Sequence, residues 1–367
     1  MRELSRQDVL DMLTGSAILG TGGGGDIDEG LEYIDAAEAA GKSFRMVSVE
    51  ELADDAMVCT PYLLGALVPS DGDSPQDYER LPKSDTPAIM TAFRRLESYT
   101  GKSFQGMIPC ELGGANTAVA AYVAAMTDVC LVDADVAGRA VPEITHSTYY
   151  LDGLDASPAV LANEFGECFI LENLHDDLRA EAVVRALAKV SRNDVSVIDH
   201  ALPVADVNGS LIKGTLTKSL ELGRAFREAH ASGDDVAERI AAVGDGEIVF
   251  RGEITRADYR DEDGFTLGDI VLAGSDDYAG SEYRVSVKNE NMASWQDGNL
   301  HATIPDLIIV VDLKSDEPVT NPNLKKGVHS AVVVLPPPEQ FLTEKALAVF
   351  GPSYLGLDSP YRPVIRK

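Results

Sequence analysis

The sequence predicts a two-domain protein: an α/β N-terminal domain with three layers around a mixed sheet, and a β-rich α+β C-terminal domain. Its 367 residues suffice for about two domains and a large core. Helical and strand patterns alternate up to about residue 240, and short β runs separated by turns follow. We place the boundary before the helix that starts near Asp176, with residues 1–174 in the first domain and 175–367 in the second.

A glycine-rich segment near the start lies between two predicted helices, which are capped by Ser5 and Asp26. Consecutive glycines suit neither helix nor strand, so the segment indicates backbone amides close to a ligand, or positive φ. The helix N-terminus that follows can hold a carboxylate, phosphate, enolate or urea-type oxygen. The alternative is a tight turn where a helix packs on a sheet. The predicted ligand-binding residues here are Gly20, Thr21, Gly22, Gly23, Gly24 and Gly25.

Nucleotide binding is a weaker interpretation of the same segment. Residues 20–25 fit G-x-G-x-x-G, but a helix rather than a strand precedes them, and Glu50 is only a loose match to the required acidic residue. Gly41-Lys42-Ser43 lacks the earlier glycine of a P-loop.

Hydrophobic periodicity places the remaining elements in order. The predicted strands of the first part are 43–49, 56–60, 129–132 and 195–198, and the predicted helices are 88–99, 118–126, 176–189 and 215–230. The predicted strands of the second part are 247–250, 269–272, 283–287, 307–311 and 331–335. Residues 69–87 hold proline, serine and aspartate without periodicity and are predicted to be a surface loop.

Composition excludes several classes of partner. The net charge of −29 opposes binding to nucleic acid or to an anionic membrane, and no apolar run is long enough to span a bilayer. The 4 cysteines form no C-x-x-C pair and the N-terminus does not resemble a signal peptide, so we expect a reduced, cytoplasmic location. Acidic residues are spread along the whole chain, which is typical of a protein kept soluble in concentrated salt.

Carboxylates after predicted strands are the candidate catalytic groups, because ligands bind at the carboxyl ends of strands in open α/β sheets. Glu111 can act as a general base, or it can cap the next helix. Asp133 and Asp135 would point the same way in an extended strand, where they could share a proton or bind a divalent cation; otherwise Arg139 neutralises one of them. The metal stays unknown, although oxygen ligands favour a hard cation over zinc.

Other polar residues support a ligand site more weakly. The 6 histidines show no zinc-binding spacing, and His146 is best explained as structural. Cys110 at a helix entrance can have a lowered thiol pKa, or be a small buried residue. Lys288 to Asn291 close the strand that starts at Tyr283, and either reach a cleft between the domains or form a turn. The predicted ligand-binding residues outside the glycine segment are Asn116, Arg139, Glu143, Asn289 and Glu290.

Taken in order, these motifs resemble the S-methyl thiohydantoin desulfurase family. The motifs are Gly20-Thr21-Gly22-Gly23-Gly24-Gly25, Glu111-Leu112-Gly113-Gly114-Ala115-Asn116, Asp133-Ala134-Asp135, Gly138-Arg139-Ala140, Pro142-Glu143, Asn289-Glu290-Asn291 and Pro305-Asp306-Leu307. The similarity spans nearly the whole chain. Residues 61–69 depart from the family, whose members tend to carry a Gly-x-Pro turn and a glutamate there, so the substrate stays open.

The resemblance implies a hydrolase that releases a thiol from an S-methylated five-membered cyclic amide or thioamide in a cleft between the domains. The glycine segment would hold the ring oxygen, and Glu111 or the Asp133/Asp135 pair would activate water. The family is associated with hydantoinase and oxoprolinase systems, so the alternative is a non-catalytic partner subunit of such an assembly. We expect a small-molecule substrate and a homo-oligomer.

Overall fold

The computed structural model describes residues 1–65 and 78–365. The helices of these ranges are α1 (Arg6–Leu19), α2 (Ile27–Ala39), α3 (Ala88–Thr100), α4 (Gly114–Met126), α5 (Thr148–Asp152), α6 (Asp177–Lys189), α7 (Val204–Val207), α8 (Thr215–Ser232), α9 (Val236–Gly244) and α10 (Glu344–Val349). None of them combines the length and apolar character that a membrane span requires.

The first ten strands build the N-terminal half of the fold. They are β1 (Arg2–Leu4), β2 (Phe44–Val47), β3 (Met57–Gly65), β4 (Phe104–Met107), β5 (Cys130–Val132), β6 (Ala134–Asp135), β7 (Ala159–Ala162), β8 (Cys168–Leu171), β9 (Asp194–Pro203) and β10 (Ile212–Lys213). Eight of them form one sheet in the order β1-β2-β5-β4-β3-β9-β7-β8, and β6 pairs with β10. The pairs joining β2, β5, β4 and β3 are parallel, while β9, β7 and β8 are antiparallel, so the sheet is mixed.

Helices cover both faces of this sheet, which confirms the predicted three-layer α/β domain. Along β3, Cys59 and Leu63 face a core shared with α1, α2, α3, α4 and α8. Val58 and Tyr62 face the other side, which α5, α6 and α7 cover. Successive side chains of a strand point to opposite faces, so both faces of β3 are apolar because both are covered.

A second, antiparallel sheet forms the C-terminal domain, as the β-rich pattern predicts. Its strands are β11 (Glu247–Glu262), β12 (Phe265–Gly274), β13 (Glu282–Lys288), β14 (Glu290–Gln296), β15 (Asn299–Thr303), β16 (Leu307–Asp312) and β17 (His329–Leu335). Their order is β15-β14-β13-β12-β11-β17-β16. One face encloses its own apolar core around Phe250 and Tyr283. The other face, with Ile309 and Leu335, packs with the core that includes α8 and α9.

Two glycines let α1 and α8 touch backbone to backbone. A Cβ on Gly15 would lie 1.7 Å from the carbonyl oxygen of Ser219, and a Cβ on Gly223 would lie 1.8 Å from the carbonyl oxygen of Asp11. No larger side chain fits at either position without separating the helices. This contact fixes the end of α1, from which the glycine segment starts.

The tertiary structure contains elements and contacts that the sequence patterns did not predict. Strand β9 and helices α6 and α8 come from beyond residue 175, yet they pack on the first sheet and on α1. The elements without a predicted counterpart include strands β1, β7, β8, β10, β14 and β15 and helices α5, α7, α9 and α10. Asn289 lies at φ 57° in the turn between β13 and β14, which is the turn that the sequence analysis gives as one alternative. Residues 69–77 of the predicted surface loop and 66–69 of the segment that departs from the family lie outside the described residues.

Candidate functional site

A cavity of about 430 Å³ lies between the two domains. The N-terminal domain contributes the glycine segment, the ends of β3 and β9, and the loops that follow β4 and β6. The C-terminal domain contributes the β11–β12 and β13–β14 turns and residues 320–321. Of the predicted site residues, those that line this cavity are Gly22, Gly23, Gly24, Gly25, Glu111, Asn116, Glu143, Asn289 and Glu290.

Glu111 is a buried carboxyl group whose two oxygens both accept hydrogen bonds. Asn116 Nδ2 donates to Oε1 at 2.7 Å, and the Val141 amide donates to Oε2 at 2.7 Å. Burial raises the pKa of Glu111 to about 7, although these two donors and the charge of Arg139 oppose the rise. The carboxyl group therefore changes charge near neutral pH, which suits a group that accepts or donates protons.

Glu290 is a second buried carboxyl group in the same cavity. It is 2% exposed, and its Oε2 has no hydrogen-bond partner in residues 1–65 and 78–365. Burial, together with the negative charge of Glu111, raises its pKa well above the usual range. Its Oε1 lies against the glycine segment, where a Cβ on Gly23 would approach to 2.0 Å. A side chain at this position would displace the carboxyl group of Glu290.

The glycine segment connects the domains as well as lining the cavity. The Thr21 and Gly22 carbonyls accept hydrogen bonds from the amides of Asn291 and Asn321, at 2.9 and 2.8 Å. The Gly24 carbonyl accepts from the amides of Ala115 and Asn116, in the first turn of α4. Gly22, Gly24 and Gly25 all have positive φ, as the run of glycines predicts. Gly20 and Thr21 lie behind the lining residues.

Glu143 and Asn289 hold the C-terminal wall in place. Lys288 Nζ donates to Glu143 Oε1 at 2.8 Å, and the Tyr354 hydroxyl donates to the same oxygen. Burial opposes ionisation of Glu143, but these bonds outweigh it and lower the pKa. Asn289 Oδ1 accepts from the amide of Thr266 at 2.9 Å. Both side chains are engaged by protein groups and position the turns that border the cavity.

Tyr62, Asp199 and His200 form a hydrogen-bonded group in the cavity wall that the sequence did not indicate. The Tyr62 hydroxyl donates to Asp199 Oδ2 at 2.8 Å, and His200 Nδ1 lies 2.7 Å from Asp199 Oδ1. The pairing of β9 with β3 shifts register here, and His200 has φ 44°. Burial lowers the pKa of His200, but the charge and hydrogen bond of Asp199 outweigh it, so the pKa is raised. The imidazole therefore favours its charged form beside Asp199.

Arg139 lies behind the cavity and ties the domains together. It is 1% exposed; its guanidinium donates to Thr21 Oγ1 at 2.7 Å, to the Asp306 carbonyl at 3.0 Å and to the Asn291 carbonyl at 3.2 Å. Burial lowers its pKa to about 10, against the attraction of Glu290. The group stays protonated at neutral pH and stabilises the interface rather than contacting a ligand.

Asp133 and Asp135 are the predicted catalytic residues that the structure does not bring to the cavity. The chain bends at Asp133, between β5 and β6, so the two side chains diverge instead of sharing one face. Asp133 accepts from the Thr217 amide at 2.9 Å and from its hydroxyl at 2.5 Å, at the start of α8. Asp135 Oδ2 accepts from the amides of Ala137 and Gly138. Both carboxylates therefore hold backbone turns.

Two family domains cover almost the whole chain. Residues 7–173 match the S-Me-THD-like N-terminal domain, and residues 175–364 match the S-Me-THD-like C-terminal domain. The chain belongs to the S-Me-THD-like family. This membership confirms the resemblance that the motif series indicates.

A solved structure extends the comparison beyond the sequence. The crystal structure of a protein from Chromobacterium violaceum is similar over 100% of both chains, with 26% sequence identity and a TM-score of 0.79. No curated protein matches this chain. The similarity supports the fold of this S-Me-THD-like protein and brings no activity with it.

Metal and thiol chemistry find little support in the cavity of this family member. Within the described ranges, no group of three or more His, Cys, Asp or Glu side chains is arranged to hold a metal ion. Burial, with the negative charges of Glu111 and Asp199, raises the thiol pKa of Cys110 well above its usual range. The hypothesis of a lowered thiol pKa is therefore wrong. His146 packs on Phe350 outside the cavity lining, in agreement with a structural role.

Proposed function

We propose that this S-Me-THD-like protein hydrolyses an S-methyl thiohydantoin or a related hydantoin-like ring in the cavity between its domains. The observation that carries the proposal is a pair of buried carboxyl groups, Glu111 and Glu290, in one cavity but in different hydrogen-bond environments. Two titrating groups whose surroundings push their pKa values apart can serve as a base and an acid.

Hydrogen bonding supports a different role for each of the two groups. Donors to both oxygens of Glu111 favour its carboxylate, and its pKa of about 7 lets it take up a proton near neutral pH. Glu290 has an unpartnered oxygen and a pKa raised further by burial and by Glu111, so it keeps its proton. Glu111 is therefore the general base and Glu290 the general acid.

The reaction balances with water as the only co-reactant. Water attacks the ring carbon that bears the S-methyl group; one water proton goes to Glu111 and the other to the ring nitrogen. The carbon–sulfur bond breaks, and methanethiol leaves with the proton of Glu290. The proton held by Glu111 then passes to Glu290, which restores both groups for the next turnover. The amides of Gly24 and Gly25 have no acceptor in the described part of the chain, so they are available to negative charge that develops on oxygen.

The test is release of methanethiol and hydantoin from an S-methyl thiohydantoin by the purified full chain, with and without Mg²⁺ or Mn²⁺. Glu111→Gln is expected to lower kcat by about 100-fold or more, the usual contribution of a general base. Glu221→Gln, an exposed position on α8, is the matched control and keeps the rate.

Two results would argue against the proposal. Full activity of Glu111→Gln would remove the base from the mechanism. Product that forms only after a hydantoinase or oxoprolinase subunit is added would favour the role of a non-catalytic partner.

A further inference from the structure

The hydrogen-bonded group of Tyr62, Asp199 and His200 lines the cavity without a role in the proposed hydrolysis. All three side chains are buried. Polar groups that are buried in this way cost free energy unless they are paired. The hydrogen bonds that they make with each other therefore determine what they still offer to a ligand.

Both ring nitrogens of His200 face oxygens that accept hydrogen bonds. Nδ1 lies 2.7 Å from Asp199 Oδ1, and Nε2 lies 3.3 Å from the carbonyl oxygen of Leu154. A carbonyl oxygen and a carboxylate oxygen can only accept, so each nitrogen carries a proton. The ring of Tyr149, whose centroid lies 4.3 Å from that of the imidazole, packs against His200 in this orientation. His200 is therefore a cation that keeps Asp199 in its carboxylate form.

The proton of the Tyr62 hydroxyl is committed to Asp199. The Tyr62 oxygen lies 2.8 Å from Asp199 Oδ2, and the carboxylate can only accept. Burial, together with the negative charge of Asp199, raises the pKa of Tyr62 well above its usual range, so the hydroxyl keeps this proton. A tyrosine hydroxyl has a single proton, and what its oxygen still offers is a lone pair. Tyr62 can therefore accept a hydrogen bond from a ligand but cannot donate one.

Tyr62 and Glu111 are held by the same part of the sheet. Tyr62 lies on β3, and Glu111 follows β4, which pairs in parallel with β3. The amide of Leu63, the residue after Tyr62, donates to Asn116 Oδ1 at 2.8 Å, and Asn116 Nδ2 donates to Glu111. A ring that contacts both Tyr62 and Glu111 meets a hydrogen-bond acceptor at each of them.

We propose that the Tyr62 oxygen accepts a hydrogen bond from a ring N–H of the ligand, and that Asp199 and His200 hold the hydroxyl in the orientation that this requires. The inference rests on the proposed function, because it adds a recognition group for the same ring. An S-methyl thiohydantoin carries one N–H beside the carbon that water attacks, and the nitrogen on the other side of that carbon takes up a proton during hydrolysis. With its N–H bound to Tyr62, the ring leaves that second nitrogen free for protonation.

The test uses two neutral five-membered rings, 2-imidazolidinone and 2-oxazolidinone, which differ by the replacement of one N–H with a ring oxygen. Their dissociation constants are measured by ligand-observed NMR titration of the full chain. 2-Imidazolidinone is expected to bind at least about tenfold more tightly, because the ring oxygen of the other compound meets an acceptor and leaves it unpaired.

Tyr62→Phe removes the acceptor and keeps the ring of the side chain. The ratio of the two dissociation constants is expected to fall by about threefold or more, through weaker binding of 2-imidazolidinone. Tyr278→Phe is the matched control, since the Tyr278 hydroxyl donates to the Ile248 carbonyl at 3.2 Å and lies outside the cavity lining. This control keeps the ratio.

Each outcome decides the inference. Equal or tighter binding of 2-oxazolidinone overturns it, as does binding of neither ring. Equal weakening of both rings by folded Tyr62→Phe assigns Tyr62 a structural role and also overturns it; if that variant does not fold, the wild-type ratio still decides. Selective binding of 2-imidazolidinone without thiol release from the S-methyl substrate supports the inference while the proposed hydrolysis fails. Thiol release with equal affinity for the two rings overturns the inference and leaves the hydrolysis standing.

Discussion

Replacement of Glu111 by glutamine is expected to change the stability of the protein in two ways. One is a loss that is the same at every pH, and the other is a gain relative to wild type that grows as the pH rises. The Glu111 pKa is about 7 in the folded protein against the ordinary glutamate value of 4.5, so the folded state holds its proton more tightly than the unfolded state. The stability that this proton provides is complete below about pH 4.5 and is lost as the pH rises through about 7. This difference in pKa corresponds to about 3 kcal/mol in the free energy of unfolding.

Glutamine cannot ionise, so the variant does not lose this stability as the pH rises. The substitution does, however, place two hydrogen-bond donors opposite each other. Its oxygen can accept from the Val141 amide, which leaves its NH₂ group facing Asn116 Nδ2, also a donor. The side-chain amide of Asn116 cannot flip by rotation about its terminal bond without losing the hydrogen bond that its Oδ1 accepts from the Leu63 amide. This conflict costs about 1–3 kcal/mol at every pH. The change of stability with pH is therefore the quantity to measure.

Calorimetric melting temperatures of wild type and Glu111→Gln between about pH 5 and pH 9 test the reasoning. For a chain of 367 residues, 3 kcal/mol corresponds to about 4 °C. The melting temperature of the variant minus that of wild type is expected to rise by about this amount across the range. A difference that stays flat would refute the raised pKa of Glu111, and the exposed Glu221→Gln variant provides the flat reference.

Four further outcomes follow from the structure. Gly23→Ala places a Cβ where Glu290 lies, so the folded variant is expected to lose about 100-fold in thiol release; activity near wild type would contradict the packing. Asp133→Ala removes the acceptor for Thr217 and is expected to lower stability by about 1 kcal/mol in chemical denaturation, with kcat within about twofold of wild type. Arg139→Lys cannot reproduce the planar set of hydrogen bonds between the domains, and its melting temperature is expected to fall by several degrees. The melting temperature of wild type is expected to rise with KCl, because screening relieves repulsion within a chain of net charge −29; a maximum at low salt would contradict this.

Local sequence context was enough to find much of the candidate site. Glu111 stands between a strand and a small-residue helix, and Glu290 stands beside Asn289 at a strand end, where polar groups face a cleft. The run at residues 22–25 indicated positive φ, which the structure has at Gly22, Gly24 and Gly25. These features depend on neighbouring residues and on local backbone geometry, so a single stretch of sequence carries them.

Other parts of the candidate site could not be predicted, because they depend on contacts between residues that are far apart in the sequence. Tyr62 and Asp199 meet because β9 pairs antiparallel with β3 across a separation of 137 residues. The register shift beside His200 cannot be read from the apolar pattern of residues 195–198. For Asp133 and Asp135, alternation predicted a shared face, but that rule requires an extended chain and the bend at Asp133 breaks it.

By itself, the sequence determined the family, the α/β and β-rich composition of the two domains and the glycine segment, because periodicity and φ preferences are local. Only the tertiary structure decided which carboxyl groups share a cavity and which hold helix ends. Burial and pairing are properties of the assembled chain: the pKa of Glu111 rises because its folded surroundings exclude water from it, and Arg185 donates to the carbonyl of Gly264, which is distant in sequence.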